Sequence, residues 1–408
     1  MELRPILSTL RRHKTAAALI VLEIALSCAI ICNALFLIGG RLDRMDRPSG
    51  LAEDEIVRIQ IAGVGKDDNA AALTRSDLAA LRALPGVISA SVTNQVNYGG
   101  SSWNTGVNLD PDQTHVSLGA AMFLGDVQLP KTLGLELVAG RYFNEDEMID
   151  FEVANAPGAD VQIPSVIITR DMAEKLWPGQ DPLGKQIYGG DEHPIRVVGV
   201  VDKLARPNDM NGPDAFYHSM IYPLSVPFTV GGNYLIRVSP ERRAETLKAA
   251  VAALMRNGPN RIVLEQQTLE EMRAEFYRAD RAMAWMLVTV CIALLVVTAL
   301  GIVGLASFWV QQRTKQIGVR RALGATRGQI LRYFQTENFL LATVGIVIGM
   351  LLAYGINQLL MGKYELPRLP AMYLPIGAVV LWVLGQLSVL GPARRAASVP
   401  PAVATRSV

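Results

Sequence analysis

The sequence predicts an α-helical membrane protein with four transmembrane helices and a large extracytoplasmic α+β domain, in which two strand-helix-strand units flank a β-rich subdomain. Four apolar runs, Thr15 to Ile38, Ala282 to Val310, Phe339 to Leu360 and Met372 to Leu390, each approach or exceed the roughly 20 residues that a helix needs to cross a bilayer. Between the first and second runs lies a polar stretch of about 240 residues, enough for two subdomains. Charge is unevenly shared: residues 41–281 hold 24 Lys/Arg against 33 Asp/Glu, whereas the short segments on the opposite side are basic. The positive-inside rule therefore places the acidic stretch outside the cytoplasm.

Taken in order, Arg4, Arg11, Arg12 and Lys14 precede the first run and hold the N-terminus in the cytoplasm. That run is too long for a signal-peptide core and lacks a convincing small-residue cleavage site, so it reads as an uncleaved anchor. Glu23 is the one acid inside any of the four runs. A carboxylate there costs a few kcal/mol unless paired, snorkelling or protonated, which makes Glu23 a candidate intramembrane functional acid. The competing reading places it within reach of the headgroups or of Lys14.

In the outer stretch, Glu55 to Ala62 alternates as a strand, Ser76 to Leu84 reads as a helix capped by Ser76 and closed by Pro85-Gly86, and Val87 to Val96 alternates again. Asn233 to Ser239, Glu241 to Arg256 and Arg261 to Gln267 repeat that order near the other end. The middle, about 97–230, is punctuated by turn residues such as Gly99-Gly100-Ser101-Ser102, Pro111-Asp112 and Gly189-Gly190, as short strands are. From Leu269, apolar residues recur at helical spacing without a breaker as far as Gln312. This predicts one continuous rod of about 65 Å at 1.5 Å per residue, against the alternative of two helices meeting near Arg281 with Asp280-Arg281 at the membrane interface.

The segment Arg313 to Glu337, RTKQIGVRRALGATRGQILRYFQTE, lies between the second and third runs. Arg313, Lys315, Arg320, Arg321, Arg327 and Arg332 meet no acid before Glu337, so this loop stays cytoplasmic. Gly324 predicts a helix break, and Thr326 with Gln329 has the spacing of a capping box opening the next helix. On composition alone the loop could be a topology anchor for anionic headgroups. Arg394 and Arg395 place the C-terminus on the same side.

Several chemistries are excluded. Lys+Arg 39 against Asp+Glu 37 gives no footprint for nucleic acid. No G-x-x-x-x-G-K-[ST], G-x-S-x-G or H-E-x-x-H stretch occurs, and the four histidines are scattered, so no catalytic or metal site is read. Cys28, Cys32 and Cys291 all fall in apolar runs, which leaves the outer stretch without a disulfide.

The string KQIGVRRALGAT resembles the cytoplasmic signature of FtsX/MacB-like ABC-transporter permeases, and LGLELVAGRYFNEDE, SVIITRDMAEKLWPGQDPLGKQI and IRVVGVVDK resemble the periplasmic core domain of the MacB type. The resemblance implies a non-catalytic permease without cofactor, with ATP bound by a partner ABC ATPase. It implies a homodimer or a heterodimer with a related permease, and a periplasmic adaptor and outer-membrane duct as candidate partners. The docking (coupling) helix would be Gln316, Ile317, Gly318, Val319, Arg320, Arg321, Ala322, Leu323, Gly324 and Ala325, with Ile317, Val319 and Leu323 as apolar anchors and Arg320 and Arg321 as orienting charges. Pro400-Pro401 departs from the family's usual ending. The implied division is a cytoplasmic segment 1–14, a first transmembrane helix 15–40, a periplasmic core domain with stalk 41–281 and a second helix 282–310. The coupling loop 311–337, third helix 338–361, periplasmic loop 362–371, fourth helix 372–391 and cytoplasmic tail 392–408 follow, in a bacterial inner membrane. Expected substrates for efflux are an antibiotic, peptide or lipid-like molecule. The alternatives are a lipoprotein-releasing permease and, in another class, a membrane-anchored sensor or scaffold.

Overall fold

A computed structural model describes residues 14–65, 69–113, 115–189, 193–208, 212–364 and 368–398. The expected cytoplasmic N-terminal segment up to residue 13, the loop residues 365–367 and the tail from residue 399, with Pro400-Pro401, lie outside them.

Leaving aside helical segments shorter than eight residues, in chain order the elements are α1 (Lys14–Met45), β1 (Ile56–Gly63), α2 (Ala70–Arg82), β2 (Val87–Thr93), β3 (Asn104–Val107), β4 (Leu118–Leu124), β5 (Leu137–Gly140) and β6 (Ile149–Asp150). Next come β7 (Ser165–Thr169), β8 (Gln186–Tyr188), β9 (Pro194–Val201), β10 (Ser219–Tyr222), β11 (Leu224–Ser225), β12 (Asn233–Val238), α3 (Arg243–Asn257) and β13 (Arg261–Thr268). The chain ends in α4 (Leu269–Phe276), α5 (Arg278–Gln312), α6 (Thr314–Ala322), α7 (Arg327–Tyr364) and α8 (Tyr373–Ser398). Two units divide it: Arg47–Arg278, and Met1–Asp46 together with Ala279–Val408.

The first of these is the α+β unit. Its four-stranded sheet runs β13-β1-β12-β2, antiparallel throughout. Each strand-helix-strand unit leaves a gap of one strand, and the other unit's strand fills it, which is the split βαβ arrangement. Val57, Ile59, Ile61, Ala90, Tyr234 and Ile236 are buried with Leu78 and Leu81 of α2 and Leu254 of α3 in one core. A buried polar lock ties helix to sheet: Arg261 Nη1 donates to Asp77 Oδ2 at 2.5 Å, and Tyr234 Oη donates to the same oxygen at 2.6 Å. The middle segment forms a mixed sheet in the order β3-β4-β10-β7-β9-β5, with β8 on β9.

Two sequence expectations need correction. The helix expected from Ser76 is α2, which begins at Ala70, and Ser76 lies inside it. Ala70 to Leu73 contain no breaker, and Thr74 is fixed within the helix by donating to Ala70 O and accepting from Phe228 N, each at 2.8 Å. The expected continuous rod is two helices, α4 and α5, separated at Tyr277, whose backbone sits at φ −91° and ψ 12°. Thr268 and Glu271 form a capping box that starts α4 independently. The Tyr277 ring is buried against Tyr98 and Phe276, with centroids at 6.0 and 4.9 Å, so tertiary packing overrides helix continuity.

The second unit is helical. Among the described residues, four helices are long and apolar enough to cross a membrane: Lys14–Met45, Arg278–Gln312, Arg327–Leu359 and Tyr373–Ser398. α7 packs on α1 and α8. At Gly345 an added Cβ would meet Ile24 and the Val21 carbonyl at 2.9 Å, and at Gly349 it would meet Cys28 and the Ala25 carbonyl. These two glycines, four residues apart, are therefore what lets α1 and α7 approach closely. Ser27 and Thr298 hydroxyls, 2.8 Å apart, tie α1 to α5, and Asp280 at the start of α5 is ion-paired with Arg41 and Arg44.

Candidate functional site

The turn between α5 and α7 lies in the basic segment 313–337, whose residues from Arg327 onward already belong to α7. α5 stops at Gln312, Arg313 turns inward, and α6 runs as a short helix to Ala322. Gly324, at φ +98°, takes the left-handed conformation that closes the helix. Thr326 then caps α7 reciprocally: its N–H donates to Gln329 Oε1 at 2.9 Å, and Gln329 N–H donates to Thr326 Oγ1 at 3.2 Å.

One side of this knuckle is sealed. Ile317 and Gly318 are buried, with Ile317 packed in the same apolar cluster as Trp309, Ile330 and Phe334. Arg313 and Glu337 form an ion pair at 3.0 Å whose side chains are 7% and 2% exposed, and the guanidinium lies 5.5 Å from the Trp309 ring centre. Arg320 stacks over Tyr333 at 5.0 Å. Arg321 donates to the Ala397 carbonyl at 3.0 Å, near the C-terminus of α8, where a cation is favoured by the helix dipole.

The other side is open. Lys315, Gln316, Val319, Arg320, Ala322 and Leu323 are exposed, Val319 to 52% and Leu323 to 83%, while Arg321 and Ala325 are half-buried. Of the three expected apolar anchors, Val319 and Leu323 thus point outward and Ile317 does not: its side chain belongs to the helical core. The surface can grip a partner through two aliphatic side chains set among cations, a composition suited to an acidic groove. Sequence reasoning missed the Arg313–Glu337 lock, although Glu337 was legible as the first acid after six cations.

Glu23 lies half-buried on α1 and faces α5 at Gly301, where the absent side chain makes room for its carboxylate. It is ion-paired with no Lys or Arg among the described residues.

Residues 17–254 match the model of the MacB-like periplasmic core domain, and residues 288–401 that of the FtsX-like permease C-terminal domain. An uncharacterized ABC transporter permease, YknZ, of Bacillus subtilis is 28% identical over 283 residues, covering 67% of this chain and 66% of its own length. The macrolide export ATP-binding/permease protein MacB of Chromobacterium violaceum is 24% identical over 301 residues, covering 72% of this chain and 43% of its own length. The chain thus spans less than two thirds of the length of these curated relatives. The periplasmic region of MacB from Actinobacillus actinomycetemcomitans aligns structurally at 14% identity with a TM-score of 0.33, covering 57% of this chain and 97% of that one.

Proposed function

With the core-domain model matching residues 17–254 of its 408, the chain belongs to the MacB/FtsX-like family of ABC transporter permeases, and from that premise we propose that it is the membrane subunit of an export system whose ATPase is a separate chain. The segment 316–325 docks on that ATPase. Val319 and Leu323 are the apolar anchors, and Arg320 and Arg321 orient the contact. Closure of the ATPase pushes α6, the buried Arg313–Glu337 pair passes the displacement to the ends of α5 and α7, and α5 carries it across the bilayer as a helix whose backbone is internally bonded.

In this reading the α+β unit is periplasmic, both termini are cytoplasmic, and the membrane is the bacterial inner membrane. The working form is a dimer, with itself or with a related permease. A periplasmic adaptor and outer-membrane duct are candidate further partners. The cargo is an antibiotic, peptide or lipid-like molecule, in keeping with a relative named for macrolide export. The reading assigns ATP hydrolysis to an ABC ATPase partner, and the 408 residues themselves hold no phosphate-cradling G-x-x-x-x-G-K-[ST] loop.

The observation that carries the proposal is the outward pair Val319 and Leu323 on a segment whose third large apolar side chain, Ile317, is packed away. Replacing both with Asp, in a chain co-purified with its ATPase, is expected to lower stimulated ATP turnover at least tenfold while the chain stays folded. Undiminished stimulation would leave only the headgroup-anchor reading of this loop. Ile317→Asp is the wrong test, because it places a charge in the helical core.

A further inference from the structure

The α+β unit holds a cavity of about 400 Å³ that the docking proposal does not use. Its floor follows from strand alternation. Val57, Ile59 and Ile61 of β1 face the helices, so Arg58 and Gln60 face the other way. Pairing places Gln267 opposite Arg58, and both Glu265 and Asn233 opposite Gln60, on that same face.

Arg58 is only 6% exposed and acts as the hub. Its Nε donates to Asn233 Oδ1 at 2.8 Å, Nη1 to Glu265 Oε2 at 2.8 Å and Nη2 to Gln60 Oε1 at 2.6 Å. Three planar polar side chains are thereby held in fixed orientation at the base of a cavity. Phe276 and Met272 of α4 line one wall. The other is the loop from Tyr98 to Ser101, and Tyr98 is the one non-glycine residue with positive φ among the described residues, at 65°. A bulky residue in that conformation is strained, and such strain concentrates at ligand sites.

The chemistry narrows the ligand. Glu265 already neutralises Arg58, so an anion finds no free cation on the floor and meets Glu265 and Glu275 instead. Gln60, Asn233 and Glu265 already accept from Arg58, but a hydrophobic guest would strip water from the exposed Glu265 carboxylate and from the Gln267 carboxamide, which is costly. Sugar hydroxyls each donate and accept, as the Gln267 carboxamide does and as that of Gln60 does with the valences left by Arg58 and the Gly231 carbonyl, while Asn233 is held by Arg58 and the Thr93 and Asn94 carbonyls; an aromatic ring such as Phe276 offers a face for the apolar side of a pyranose. We propose that this cavity binds a neutral, hydroxyl-rich saccharide of one or two rings. The inference is independent of the transport reading, because binding is measured on this chain alone.

The test uses the full chain in a detergent without a sugar headgroup, titrated with soluble N-acetylglucosamine oligosaccharides. Binding is read by isothermal titration calorimetry, which needs no reporter residue. Saturable binding is expected, weakened about tenfold or more by Gln267→Leu and by Gly100→Phe. Gly100 has ordinary φ and open space around an added Cβ, so that variant blocks the mouth without strain. Unaltered thermal unfolding of both variants confirms that they fold. Co-sedimentation with purified wall glycan identifies a polymer strand as the source, and binding of the soluble oligosaccharide without co-sedimentation identifies a free sugar. An absent or non-saturating signal, undiminished affinity in Gly100→Phe, or tighter binding of a tetra-alanine peptide or a quaternary-ammonium amphiphile overturns the proposal.

Discussion

Arg313 and Glu337, 24 positions apart, hold the basic turn in one shape. Two charges taken this far from water gain from each other only while both remain, so removing one partner costs more than the pair is worth. Glu337→Gln is expected to destabilise the detergent-solubilised chain by about 3 kcal/mol, seen as a lower unfolding temperature. The double variant Arg313→Met, Glu337→Leu should recover most of that loss, because matched apolar groups need no compensation. A double variant as unstable as the single one would mean that the pair does something other than satisfy its own charges. The sequence displayed both residues but not their contact. What buries them is the ring of Trp309 and the inward turn of Ile317, and neither is readable before α5, α6 and α7 are placed together. The same limit applies to Ile317 itself: its apolar character was legible, but the side of a nine-residue helix that it faces was not.

At the level of elements, local signals worked where the backbone chemistry decided the outcome. Gly324 ends α6 and the Thr326–Gln329 box opens α7 because each needs only its own turn. They failed where tertiary contacts decided. No glycine or proline marks Tyr277, and the helix breaks there because its ring is buried against Tyr98 and Phe276. Glycines within α7 show the same division, since Gly345, Gly349 and Gly355 look alike in sequence. Only the first two touch α1, whereas nothing lies within 4 Å of a Cβ built at Gly355. Gly349→Val should therefore push α1 and α7 apart and reduce the yield of monodisperse protein on size exclusion. Gly355→Ala should leave it unchanged or raise it, since alanine is favoured over glycine inside a helix by about 1 kcal/mol. Equal yields from the two variants would remove the close α1–α7 contact as the reason for Gly349.

For the whole molecule, the ordering of segments by charge is the step on which function turns. An excess of acids over bases in residues 41–281 and a run of six cations in 313–332 are separated by one apolar helix, α5. In the proposed reading α5 crosses the bilayer once and delivers its two ends to opposite compartments, so the proposed docking segment 316–325 and the proposed saccharide cavity meet different solutions. This can be measured directly, because the three native cysteines are all buried. Single cysteines introduced at Ser101, in the cavity loop, and at Leu323, on the exposed side of α6, are expected to react differently with a membrane-impermeant maleimide. Ser101→Cys should label in cells whose outer membrane alone has been opened, and Leu323→Cys only after the inner membrane is breached. Labelling of both under the first condition would place the basic turn beside the acidic unit, and a cytoplasmic ATPase could then reach neither.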